Sequence, residues 1–238
     1  VAPMARNVWA NAARCTAVSS FVQELAEKVY RRRVDRILNG VDMSDAPERP
    51  SPVENVRRLV FVGRFSVQKN PAFLIDVLAQ VRGMNWQLTM IGDGPLMGDV
   101  RTRIQQHALA ARVELRGWCE TADVQRVLGE SDVLCMPSLS EGLPVAAIEA
   151  LKYGLAIVAS EIPGVRDVLD PQRNGFSVPV QDVAGFARAL DELLGDDSRL
   201  TAMKRASCEK ARSFELGVIT DQYERVLREA AAEKRPVA

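Results

Sequence analysis

Two acidic residues stand eight positions apart, Glu141 in a Pro137-Ser138-Leu139-Ser140-Glu141-Gly142-Leu143-Pro144 stretch and Glu149 in the segment that follows. A proline suits the first turn of a helix, where its missing N–H costs nothing. If Pro144 opens a helix, the amides of Gly142 and Leu143 lie at its N-terminus, where the partial positive charge favours phosphate. Gly142 has no side chain to keep an anion away. A carboxylate about a turn and a half into that helix, as Glu149 would be, can accept two hydrogen bonds from adjacent hydroxyls such as those of a ribose. One in the loop, as Glu141 would be, can face a sugar. Farther back, Gly63-Arg64 and then Lys69 follow an apolar run. An arginine fork and a compact lysine charge above a helix N-terminus suit a pyrophosphate. A capped strand-to-helix turn and two surface cations would each explain one piece alone; their concurrence points to a diphosphate.

The elements that must hold these residues follow from apolar patterning. Runs at Leu59–Val62, Leu88–Ile91, Val113–Leu115, Val133–Met136, Ala156–Ala159 and Phe176–Val178 read as strands. They alternate with amphipathic stretches predicting helices over 70–81, 96–110, 121–129, 144–153, 163–169, 182–194, 197–212 and 216–233. Strands apolar on both faces, alternating with helices, imply an α/β fold: a Rossmann-like, doubly wound parallel sheet. In such sheets ligands bind beyond the carboxyl ends of the strands. Gly63-Arg64, Gly92-Asp93-Gly94, Gly117-Trp118, the 137–144 loop and Ser160-Glu161 all follow strands, so polar and glycine residues gather on one edge. Upstream, residues 3–13 and Phe21–Arg32 read as helices, with Ser19-Ser20 as a cap, and Cys15–Val18 and Arg36–Leu38 as short strands. The organisation expected is 1–42 as an N-terminal segment, 43–57 as a Pro-rich linker, 58–212 as a Rossmann-like domain, and 213–238 as a closing helix and tail.

Composition narrows the classes. Of 238 residues, 47% are apolar and 26% charged, with 31 basic and 31 acidic side chains in balance. That excludes a disordered chain and removes any net-charge argument for nucleic acid or an anionic surface. Cys15, Cys119, Cys135 and Cys208 lie scattered, without metal-ligand spacing, and read as small hydrophobes in a reducing compartment. Apolar runs fall short of the ~20 residues that cross a bilayer, and no secretory signal is visible. The expected location is the cytoplasm, or peripherally the inner face of its membrane. A first residue of Val1 suggests a fragment or a processed product. His107, the single histidine, reads as a surface residue of the 96–110 helix, and Trp9 and Trp86 as packing residues.

The motifs together resemble the donor-binding C-terminal half of the GT-B retaining glycosyltransferases of family four, group 1. The resemblance is carried by VGRFSVQKN (62–70), MIGDGPL (90–96), VELRGW (113–118), SDVLCMPSLSEGLPVAAIEALKYGLAIVAS (131–160), IPGVRDVL (162–169), NGFSVP (174–179) and ILNGVD (37–42), and spans about 37–228. It implies that Arg64 and Lys69, with Gly63, hold the donor diphosphate. It implies that Glu141 is catalytic, contacting the transferred sugar and stabilising its positive charge. The amides of Gly142, Leu143 and Val145 would receive phosphate or sugar hydroxyls, and Glu149 the ribose. Gly92, Gly94 and the backbone around Trp118 would border sugar and base. The resemblance implies no metal and no cofactor; the nucleotide-sugar is itself a substrate, a UDP-sugar as first expectation and a GDP-sugar as second. The acceptor would be a sugar, lipid or polysaccharide, giving polysaccharide or glycolipid biosynthesis.

The resemblance makes 58–212 the nucleotide-sugar-binding domain; such enzymes carry a whole second domain that holds the acceptor, and here only about forty residues precede the linker, so 1–42 would be the remnant of that domain. The last helix, with Leu216, Ile219, Tyr223, Val226 and Leu227 on one face, would cross back to that domain or fold onto this one. A missing N-terminal domain, a partner subunit or a homodimer would then complete the site. The alternative is a non-catalytic or partner-dependent nucleotide-sugar-binding module. A sugar-nucleotide epimerase fits the Gly-Leu-Pro-x5-Glu spacing less well. An NAD-binding domain fails because Val62-Gly63-Arg64-Phe65-Ser66 lacks the second glycine of that turn.

Overall fold

The computed structural model describes residues 3–83 and 85–232. A small N-terminal unit comes first: α1 (Pro3–Asn11), β1 (Thr16–Ala17), α2 (Ser20–Tyr30) and β2 (Asp35–Arg36), with β1 and β2 paired in parallel. The larger part follows as β3 (Arg57–Val62), α3 (Pro71–Leu78), β4 (Trp86–Ile91), α4 (Met97–Gln106), β5 (Val113–Gly117), α5 (Thr121–Gly129) and β6 (Val133–Met136). It continues as α6 (Val145–Lys152), β7 (Ala156–Ser160), β8 (Gly175–Val178), α7 (Val183–Gly195), α8 (Asp197–Ala211) and α9 (Leu216–Ala232).

The six strands β3 to β8 form one parallel sheet in the order β5-β4-β3-β6-β7-β8. Strand alternation builds two cores. Leu59, Phe61, Leu88, Met90, Val133 and Cys135 face α3, α4 and α7 on one side; Val60, Ile91, Leu134 and Met136 face α5 and α6 on the other. The order reverses between β3 and β6, because the chain winds outward through β4 and β5 and then returns to start β6. A crevice therefore opens at the carboxyl ends of those two strands.

The 43–57 stretch is strapped down rather than loose. Lys152, 2% exposed, pairs with Asp45, which also accepts from the Tyr153 hydroxyl at 2.9 Å. Lys204, fully buried, bonds Ser51 at 3.0 Å and Asp132 at 2.6 Å. Arg57, read from sequence as linker, starts β3 instead, its guanidinium paired with Asp197.

The helix expected over 163–169 is a single 3-10 turn at Pro163–Val165 followed by irregular chain. Val168 and Leu169 are buried in the core while the Asp167 carboxylate is held by Ser20 and Arg36, which tertiary contacts prefer to a helical period. Pro144 sits one residue before α6, in an extended conformation, not inside its first turn. Helix α9 packs on the 37–38 stretch: Ile219 and Val226 are buried against Ile37 and the partly buried Leu38, and Glu229 pairs with Arg14, while Leu216, Tyr223 and Leu227 stay exposed. The final residue of the helix predicted over 216–233 lies outside the described residues.

Candidate donor-binding site

The loops after β3 and β6 flank the crevice, and a reciprocal clasp joins them. The backbone carbonyl of Gln68 accepts from the Leu139 amide at 2.8 Å, and the Gln68 amide side chain donates to the Ser140 carbonyl at 2.9 Å. Nothing in the sequence marks Gln68. The clasp sets the next residue, Lys69, against Glu141, Nζ to Oε1 at 2.6 Å, with the two side chains 24% and 7% exposed. The lysine stem runs over Gly63, where a Cβ would lie 3.5 Å from Lys69 Cδ.

Glu141 is held from behind by Gly164. A Cβ on Gly164 would come within 2.0 Å of the Glu141 carbonyl oxygen, so the absence of a side chain sets how deep the acidic loop can settle. Leu143, 8% exposed, anchors the loop in the core. Gly142 and Val145 remain exposed. Among the described residues no hydrogen bond uses the amides of Gly142, Leu143 or Val145. They point the open N-terminus of α6 at whatever enters the crevice. Arg64 is exposed, and its guanidinium has no ion pair or hydrogen bond among the described residues. Its charge is uncommitted.

Glu149 lies one helical turn beyond Val145, half-buried, and its carboxylate makes no hydrogen bond or ion pair among the described residues. Burial raises its carboxyl above the ordinary range, partly offset by Lys152. A carboxylate already desolvated and unpaired gains from hydroxyl donors. Ser138, 1% exposed, likewise has an Oγ without a partner.

Gly92 and Gly94 have a structural duty. Their φ values are +134° and +156°, and a Cβ would meet the Gly63 carbonyl at 1.9 Å and the Phe65 carbonyl at 2.5 Å. They let the β4 loop lie flush on the β3 loop, where Phe65 N bonds Asp93 O at 2.9 Å. Trp118 stands at the end of the edge strand β5, 71% exposed, after Gly117 with φ +67°. The structure thus brings Gly63, Lys69, Glu141 and the 142–145 amides together at the carboxyl ends of β3 and β6; Trp118 follows β5, two strands over from β3.

Outside this site, His107 contacts Asp76 at 3.1 Å, Trp9 stacks on Tyr30 with centroids 4.1 Å apart, and Trp86 is buried under the Arg112 guanidinium. The four cysteines are free thiols, and burial pushes the Cys135 thiol up. Among the described residues no helix is long and apolar enough to cross a membrane.

Comparison with known proteins places the chain. The family model for glycosyl transferases group 1 matches residues 56–196. A Campylobacter jejuni enzyme, GalNAc-alpha-(1->4)-GalNAc-alpha-(1->3)-diNAcBac-PP-undecaprenol alpha-1,4-N-acetyl-D-galactosaminyltransferase, is 26% identical over 223 residues, 90% of this chain and 60% of its own length. The Escherichia coli UDP-Gal:alpha-D-GlcNAc-diphosphoundecaprenol alpha-1,3-galactosyltransferase is 31% identical over 188 residues, 73% of this chain and 48% of its own length. Among solved structures, Anabaena HepE in complex with UDP and glucose superposes with a TM-score of 0.83 at 20% identity, covering 96% of this chain and 68% of HepE. The chain spans about half to three fifths of the length of these curated relatives. Its parallel six-stranded sheet is that of one half of a GT-B glycosyltransferase. The chain belongs to the glycosyl transferases of group 1.

Proposed function

We propose that this chain is the donor half of a retaining, metal-independent glycosyltransferase that binds a nucleotide diphosphate sugar in the β3/β6 crevice. The carrying observation is the meeting of Lys69 and Glu141 there, beside the open N-terminus of α6. Arg64 and Lys69 neutralise the diphosphate as the sugar–phosphate bond breaks, which is where charge develops in the transition state. Glu141 faces the sugar as it takes on oxocarbenium character, and the acceptor attacks the face the nucleotide leaves. Amides at 142–145 receive phosphate or sugar hydroxyls, Glu149 the ribose, and Trp118 borders the base. The cations and the helix terminus supply the charge that a divalent ion would otherwise provide.

A UDP-sugar is the first expectation: the Escherichia coli relative is named for UDP-Gal, and HepE holds UDP. A GDP-sugar is the second. Both curated relatives above are named for undecaprenol-linked substrates, which supports a lipid-linked saccharide acceptor met at the cytoplasmic membrane face. The acceptor wall would come from an N-terminal domain, a partner subunit or a second copy. Exposed Met4, Val8, Leu25 and Val29 on the N-terminal unit favour this partner-dependent reading over a self-sufficient chain. Titration calorimetry with UDP, GDP and ADP in the presence of EDTA tests the assignment. Binding of one nucleotide supports it; millimolar concentrations of all three without heat reject it.

A further inference from the structure

The Lys69–Glu141 contact joins two groups that the donor-site reading gives to different parts of the substrate, the lysine to the diphosphate and the carboxylate to the sugar. Without nucleotide they neutralise each other at 2.6 Å, and Glu141, with a side chain only 7% exposed, has no other side-chain partner among the described residues. We propose that this ion pair is the element by which the site tells a sugar-bearing nucleotide from the bare nucleoside diphosphate. The proposal rests on the donor-site reading and adds a discrimination that the reading does not contain.

The physical basis is an exchange of partners. A diphosphate entering the crevice competes with Glu141 for the Lys69 ammonium. If Lys69 turns to the phosphates, Glu141 is left as a shielded carboxylate without a counter-ion, which is unfavourable. A sugar brings hydroxyls that donate to Glu141 and restore its hydrogen bonds. A bare nucleoside diphosphate brings none, so it must either leave Lys69 where it is or strand the carboxylate. The pair therefore weakens the leaving product relative to the donor, and favours release after transfer. Gly164 behind the Glu141 carbonyl and the Gln68 clasp prevent the loop from backing away to relieve the stranded charge.

The test is a calorimetric cycle on the 238-residue chain with UDP and GDP, and with UDP-glucose, UDP-galactose and GDP-mannose as sugar-bearing probes. The proteins are wild type, Glu141→Gln, Lys69→Met and the double variant. Glu141→Gln is isosteric and frees Lys69. It is expected to tighten the bare diphosphate by about three- to fivefold, the upper range for releasing one partly exposed ion pair. It is also expected to shrink the affinity ratio between sugar-bearing and bare nucleotide. The gain should vanish in the Lys69→Met background, where no ammonium remains to release. Unchanged or weaker binding of the bare diphosphate by Glu141→Gln, with Lys69→Met still weakening it, overturns the proposal and leaves the donor-site reading standing. Equal binding of the sugar-bearing nucleotides by wild type and Lys69→Met overturns both. Thermal melting of each variant excludes loss of fold as the source of a lost signal.

Discussion

Substituting Gly164 by alanine isolates the backbone contact that seats the acidic loop. The new Cβ would lie 2.0 Å from the Glu141 carbonyl oxygen, 2.5 Å from its carbon and 2.9 Å from Glu141 Cβ. Real Cβ atoms keep at least 3.0 Å from such neighbours, so the loop or the 163–165 turn must shift by about 1 Å. Neither side yields easily, because Ile162 and Val165 are buried on one flank and Leu143 on the other. Overpacking of this kind costs about 1–3 kcal/mol. For a domain of this size each kcal/mol moves the melting midpoint by about 2–4 °C, so a drop of roughly 2–12 °C is expected. The same shift carries Glu141 away from Lys69 and changes the nucleotide affinity. Differential scanning fluorimetry and calorimetry with UDP read the two effects side by side. If Gly164→Ala melts like wild type and binds UDP with unchanged affinity, the loop is not seated as described and the reasoning fails.

Other consequences follow from the same structure. Asp132→Ala leaves the fully buried Lys204 ammonium without its carboxylate and should cost about 3–5 kcal/mol in denaturant unfolding, whereas adding Lys204→Met to it should recover most of the loss. Burial raises the Glu149 carboxyl above its ordinary 4.5, so the folded state binds that proton more tightly than the unfolded state and loses stability as pH rises through the raised value. Glu149→Gln should therefore raise the melting midpoint at pH 7 and make little difference well below pH 4.5, where both states are protonated; an equal gain in the two conditions would contradict the assignment. Gln68→Glu removes the donor to the Ser140 carbonyl, a bond worth about 1 kcal/mol, and should weaken UDP about fivefold while lowering the midpoint by no more than about 2–4 °C.

The central strands were legible because their burial is two-sided. Val133–Met136 is buried at every position and so shows an unbroken apolar run. The glycine and cation positions followed from where those strands end. Less legible was anything decided by a distant partner. Val165, Val168 and Leu169 carry enough apolar spacing to suggest a helix, yet Asp167 is drawn to Ser20 and Arg36 across 131 residues or more of chain. Arg57 looks like linker by its charge, but its paired guanidinium and buried stem let β3 begin there. Gly92 and Gly94 lie in the loop expected from the sequence; their close approach to the β3 loop is a reason for glycine that no local pattern reveals. Gln68 was invisible because a clasp between two loops has no period and no preferred residue type.

Whether two side chains, Arg64 and Lys69, grip a diphosphate is tested most directly by replacing both with alanine and titrating UDP and uridine. Each charged contact contributes about 1.5–3 kcal/mol, so the double variant should lose at least about a hundredfold in UDP affinity. Its weak binding of uridine, which has no phosphate, should not change. Unaltered UDP affinity in a folded double variant would contradict the account.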